Sequence, residues 1–432
     1  LTLNAYGDND LTDTTDPSYT TGIKADGSVV LQGAEATVSV TGAAGRGVAA
    51  ETFTAKSGSL TVTNSGATKS SGTTYYCTAK GIKATTVDLQ GGTLNITTSG
   101  AASKGIKSDN GSMTVSGGTI GVTVSGAGAY DGTERDAKGC AALKSDVDMT
   151  ISGGTLTLNA TNTGGKCIKV DGKLLVSDGT VTATSKGSQY KYSNSVTSSA
   201  KGIKSTGAMT ISGGTLTATS STHEAIESKS TLTIEGGIVT ATGGDDALNS
   251  TSDMYLKGGT ILGRSTGSST GADGFDANGN MYVQGATVFG IAHGSPDVAF
   301  DANTEGGKKL YVQSGTLVGI SGLESGASLT QSCYQASSYS KGAWYGLYSN
   351  GTLVLAFQVP SSGTMGSPMV VSASGTTTLK SGISVSAGTK IWDGLGYLDA
   401  TASGGTSVTL SSYSSGGGGG GGGHGGGGGG RW

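Results

Sequence analysis

Apolar residues in the middle of the chain come in short alternating runs. Met209 and Ile211, then Leu216 and Ala218, are each separated by a single Thr. That period of two belongs to strands that turn one face inward. A Gly-Gly pair between the runs lets the chain turn a corner. No helical spacing of apolar residues is sustained anywhere, so the pattern predicts an all-β chain.

The runs repeat. KGIKATTVDLQGGTLNI from Lys80, KGIKSDNGSMTVSGGTI from Lys104 and KGIKSTGAMTISGGTLTA from Lys201 are copies of one phrase. Weaker copies begin near Thr21, Arg46, Lys138, Lys166, His223, Asp245, Ala272 and Pro296. The apolar anchors Ile82, Ile106, Leu143, Ile168, Ile203, Ile226, Leu248, Phe275 and Phe300 are spaced by 22 to 37 residues. One such coil cannot bury its own apolar face, so copies must stack and share a core. The expected fold is a right-handed, single-stranded parallel β-helix, or β-solenoid, of about eleven or more rungs; at ~4.8 Å per rung it is roughly 50 Å long.

Four regions follow: an N-terminal arm or cap over 1–20, the solenoid over 21–320, a β-rich cap or assembly region over 321–415, and a polyglycine tail over 416–432. The third region holds Trp344, Tyr345, Trp392 and the runs TLVLAFQV and PMVVSAS, and is expected to cover the unpaired edge at the end of the stack. Three long spacings place extra segments at 64–79, 126–137 and 185–200, each with tyrosine: Tyr75 and Tyr76, Tyr130, then Tyr190 and Tyr192. Loops on a rigid scaffold often carry function, so sugar stacking and plain loop packing are both open for them.

Charge changes the picture more than composition does. Residues 80–204 carry 14 Lys and Arg against 9 Asp and Glu, whereas 205–305 carry 3 against 11. Down the stack, the positions flanking the anchor read Lys80 with Lys83, Lys104 with Lys107, Lys166 with Lys169 and Lys201 with Lys204. They then switch to Glu224 with Glu227, Asp246 with Asn249 and Asp273 with Asp276; Asp297 and Asp301 extend the series. Stacked like charges repel by ~1 kcal/mol per pair in water, so something must offset them. For the acids, calcium is the natural partner and a solvated ladder the alternative. For the lysines, anionic groups such as uronates compete with simple splaying of the ammonium groups into solvent. Lys169, Lys204, Glu227, Tyr190 and Tyr192 are the candidate ligand-binding residues.

Glycine accounts for 80 of 432 residues, 14 of them in the terminal run, which leaves 66 mostly at repeat turns. No run is apolar enough to span a membrane, and a chain that is acidic overall without interleaved Arg and aromatic patches argues against nucleic acid. An exported, extracellular chain is expected. Cys140 and Cys167 fall at similar positions of adjacent repeats, so a disulfide between them and two buried thiols are both open. His223, His293 and His424 are scattered, and no catalytic constellation is apparent.

At GGDDALNSTSDMYLKGGTI, DGFDANGNMYVQGATV and KGIKSTGAMTISGGTLTAT the chain resembles a family of secreted bacterial carbohydrate-binding β-helix proteins, over roughly residues 80–320. The resemblance implies a pectate-lyase-like fold, calcium between rungs and polygalacturonate as ligand. It implies Asp245, Asp246, Asn249, Asp273, Asp276, Asp297 and Asp301 as the calcium ligands. The tyrosine segments, the C-terminal region and the tail lie outside it. The function expected is non-catalytic binding of calcium and acidic polysaccharide at a cell surface, with head-to-tail polymerisation through the ends and tail. The alternatives are a purely structural fibre subunit and a calcium-dependent lyase using Lys204, Lys229, Lys257 or Arg264 as base.

Overall fold

The computed structural model describes residues 2–5, 20–71, 75–267 and 271–415. The polyglycine tail and most of the N-terminal arm lie outside the described residues. Those described are strand and turn throughout, apart from a short 3-10 turn at Trp392–Gly394. None of their helices is long and apolar enough to cross a membrane. The chain falls into two compact units, Leu1–Met209 with Gly214–His223 and Thr210–Gly213 with Glu224–Gly427.

In the first unit the repeat phrases pair in parallel and in register. Ile82 lies opposite Ile106, Ile106 opposite Leu143, Leu143 opposite Ile168 and Ile168 opposite Ile203. A second column runs Leu94, Ile120, Leu156, Val181 and Leu216. All of these side chains are buried, which is why the apolar anchors recur at the repeat. The glycine of KGIK has a steric cause. A Cβ on Gly81 would lie 2.3 Å from Ile96 Cγ2 and 2.5 Å from the Gly105 carbonyl oxygen, and one on Gly105 would lie 2.2 Å from Val122 Cγ1. The backbone there presses on both the core and the next rung, and only glycine fits.

The three extra segments fold as small antiparallel hairpins: Lys69–Ser71 with Tyr75–Cys77, Ala129–Asp131 with Asp136–Lys138, and Tyr190–Lys191 with Thr197–Ser198. Of the two readings open for Cys140 and Cys167, the structure has the buried thiols: both are free. Ala141 pairs with Lys166, so Cys140 is two register positions away from Cys167. The Cys140 sulfur meets the Gly126 carbonyl at 3.0 Å, and that of Cys167 meets the Leu158 carbonyl at 3.3 Å.

The second unit continues with parallel columns of its own. Leu248, Phe275 and Phe300 are in register, with the last two rings stacked at 4.6 Å. At Leu310–Ile320 the pairing turns antiparallel, against Met369–Ser372. Beyond it, Trp344–Ser349, Thr352–Gln358, Thr377–Ile391 and Gly396–Ser407 close a four-stranded antiparallel barrel. Its core residues Phe357 and Trp392 pack on Phe289, at ring separations of 5.2 and 5.8 Å. The aromatic C-terminal region therefore packs on apolar side chains of the last repeats.

Candidate functional site

Parallel register turns the spaced lysines of the first unit into two continuous columns. Arg46, Lys80 and Lys104 follow one another in the first, with Lys166 and Lys201 beyond Ala141. The second runs Lys83, Lys107, Lys144, Lys169 and Lys204. Lys144 is a member that the repeat phrase did not single out.

The second column is partly neutralised by a feature absent from the sequence reading. Asp109 lies 2.7 Å from Lys83 and 2.5 Å from Lys107; Asp146 lies 3.0 Å from Lys107 and 2.6 Å from Lys144; Asp171 lies 2.6 Å from Lys144 and 3.7 Å from Lys169. Lysine and aspartate thus alternate as a zipper. Burial works against charge on Asp109, but Lys107 and then Lys83 outweigh it and draw the carboxyl to about 2. All three aspartates stand three residues after an anchor, at Ile106, Leu143 and Ile168, and that spacing was the available signal.

The first column is held differently. Lys80 Nζ donates to the Thr78 carbonyl at 2.8 Å, and Lys104 Nζ to the carbonyls of Ala102 at 2.7 Å and Gly139 at 2.6 Å. Lys166 Nζ donates to Ser198 Oγ at 3.0 Å. Carbonyl dipoles satisfy the donors but leave net positive charge. Burial therefore pushes Lys80 down to about 8 and Lys104 well below the ordinary lysine range, with neighbouring lysines adding to the effect. Lys169 is lowered too, by burial first and by Lys144 among its neighbours, against the pull of Asp171.

These groups line a cleft of about 350 Å³ containing seven lysines and four carboxylates, with Tyr76 and Ser198 beside them. The hairpins form its walls: Asp131, Glu134 and Lys138 come from the second, Ser198 from the third. Tyr130 and Tyr192 stack across those two hairpins, centroids 3.7 Å apart and 7° from parallel. Tyr190 lies against Gly128 and Gly164, where an added Cβ would meet it at 2.4 and 3.1 Å. The two loops are therefore one aromatic assembly, with Tyr192 its most exposed member at 57 %.

In the second unit Asn249, Asp276 and Asp301 share one register column with Glu227. Glu227 has no exposed side-chain surface and meets Lys229 at 2.8 Å, so it lies beneath the molecular surface. Asp246 Oδ1 accepts the Asp273 N–H at 2.9 Å, Asp273 Oδ1 accepts the Val298 N–H at 2.6 Å, and Asp297 Oδ1 accepts the Gly271 N–H at 2.6 Å. Asn249 Nδ2 bridges Asp246 at 3.0 Å and Asp276 at 2.5 Å. Burial, with the mutual repulsion of these acids, raises Asp276 to about 7 and Asp301 to about 10. Asp245 adds to the repulsion on both Asp246 and Asp276. Among the described residues no three His, Cys, Asp or Glu side chains are arranged to hold a metal ion. Three of the four bases considered for a lyase are engaged, Lys229 with Glu227 at 2.8 Å, Lys257 with Glu235 at 3.3 Å and Arg264 with the Ser362 carbonyl at 2.8 Å.

Residues 3–185 and 160–247 match the family described as carbohydrate-binding domain-containing protein. The chain belongs to this family. No curated protein and no solved structure matches it. In this carbohydrate-binding domain-containing protein the matched residues include the whole lysine cleft and its hairpins, so family and geometry meet at one place. Membership supports carbohydrate as ligand and a binding role.

Proposed function

We propose that the chain is a non-catalytic, extracellular β-solenoid that binds acidic polysaccharide in the lysine cleft. The in-register stacking of successive repeats supports the solenoid reading. The observation that carries the ligand reading is the inner column: Lys80 is buried and Lys104 half-buried, both are held by carbonyls, and desolvation first, with neighbouring lysines second, lowers both. A carboxylate of a polyuronate entering the cleft offsets their charge, and the hairpin tyrosines offer ring surface to the sugar. Repetition at each rung suits a polymer with a repeating anionic group.

The test is retardation of the intact protein in gels containing polygalacturonate, with alginate as a second polyuronate. Strong retardation is expected, weakened only in part by added salt, because charges in a half-buried cleft are screened less than exposed ones. The double variant Lys104→Met, Lys166→Met should lose most of it. Wild-type protein migrating unretarded in both gels, or a double variant bound as well as wild type, would overturn the reading.

Calcium is the second reading, favoured by the raised carboxyls of Asp246, Asp273, Asp276 and Asp301. Their oxygens suit a hard cation in kind. Asn249, Asp245 and Asp297 would complete the set; Asp246, Asp273 and Asp297 each already accept a backbone N–H through Oδ1, and Asp276 accepts from Asn249, so these groups would have to share or turn, and the ion would supply charge neutralisation. Metal analysis, then melting with and without a chelator, tests it; metal-free protein with an unchanged melt rejects it. Head-to-tail assembly is a separate proposal, and monodisperse monomer at every concentration by light scattering rejects it.

A further inference from the structure

The second unit carries an aromatic ladder that shares no residue with the lysine cleft and lies beyond the family-matched residues. Tyr255, Tyr282 and Tyr311 occupy one register column. Their strand neighbours Met254, Leu256, Met281, Val283, Leu310 and Val312 are buried, so by alternation the tyrosines face outward. The rings stack at 4.9 Å for each pair, within 4° and 5° of parallel. Thr233 lies opposite Tyr255 at one end, and Ser328 opposite Tyr311 at the other. Five successive positions thus end in a hydroxyl.

Polar side chains border the ladder on both sides. Asp253, Asn280 and Lys309 stand two residues before the tyrosines, and Lys257, Gln284 and Gln313 two residues after. Asp253 accepts from the Tyr255 hydroxyl at 3.1 Å, and Gln284 donates to Gln313 at 2.8 Å. Lys257 lies over the Tyr255 ring at 5.5 Å and pairs with Glu235 at 3.3 Å. The border holds two lysines against Asp253 and Glu235, so the face is close to neutral.

We infer that this face is a second glycan-binding site, which takes a linear, uncharged polysaccharide along the tyrosine column. Because the rings cover each other's faces, what they offer outward is their hydroxyls and their electropositive edges, both suited to oxygen. The border amides each donate and accept, as a chain of sugar hydroxyls requires. Charge balance argues against a polyuronate here. Stacking has already fixed the rings, so little rotamer freedom is lost on binding.

The test uses the full chain, sedimented with swollen cellulose and run in gels containing arabinoxylan or galactomannan. Retention on at least one of these neutral glycans is expected. Tyr282→Ala should weaken it by about tenfold, the upper range for one aromatic contact. The triple change of Tyr255, Tyr282 and Tyr311 to Phe keeps the stack and removes the hydroxyls, so it should also weaken binding even if Tyr282→Ala folds poorly. The cleft variant Lys104→Met, Lys166→Met should bind these glycans as wild type does, which separates this site from the cleft. No retention on any of the three, or unchanged retention by the triple Phe variant, overturns the inference.

Discussion

Asp109→Asn tests whether the lysine–aspartate zipper contributes to stability. The carboxyl sits at about 2 in the folded chain against an ordinary ~3.9, and each unit is worth about 1.4 kcal/mol, giving an upper figure of ~2.5 kcal/mol. Lys83 is 28 % exposed and Lys107 19 %, so solvent screening reduces this to about 1–2 kcal/mol. The sign follows from the depressed value. The contribution is fully present above the unfolded carboxyl's range and disappears as pH falls through about 2. For a unit of this size the variant should melt about 2–8 °C lower at neutral pH. The deficit should shrink to a small remainder at pH ~2, where the wild-type carboxylate is half protonated, and vanish below it. Melting followed by circular dichroism across that range is the assay. An equal melting point at neutral pH, or a deficit that persists unchanged in acid, refutes the zipper argument.

Two other outcomes follow from the same groups. Lys80, held at about 8, must be protonated to attract a uronate, so polygalacturonate affinity should fall as pH rises through that value, and Lys80→Met should remove that step. The buried thiols predict that reductant leaves the melting point unchanged and that four thiols titrate after denaturation, whereas two would restore the disulfide.

The columns were legible because parallel register makes equal positions of each phrase into neighbours, and the KGIK motif marks those positions directly. The zipper aspartates were not. Asp109 and Asp171 stand beside Asn110 and Gly172, where Asp has a ready explanation as a turn residue. The tyrosine segments were found as insertions, but the Tyr130–Tyr192 stack joins loops from different repeats and leaves no local trace. Spacing left the cysteines open for a related reason: it brought them to adjacent repeats, while a two-residue offset sent their sulfurs to different carbonyls. Past Leu323 no repeat remains to fix partners, so strands were visible but their closure into a barrel was not.

Because the KGIK strands of the first unit pair in one register, the cleft behaves as a ruler graduated in repeats. An in-frame duplication of one KGIK unit would lengthen the floor by one lysine pair without altering any existing contact along the strand. On the proposed function, glycan length preference would change stepwise through copying, while the choice of sugar would stay with the hairpins inserted at the wider intervals. Reach and selectivity would then evolve on separate pieces of the chain.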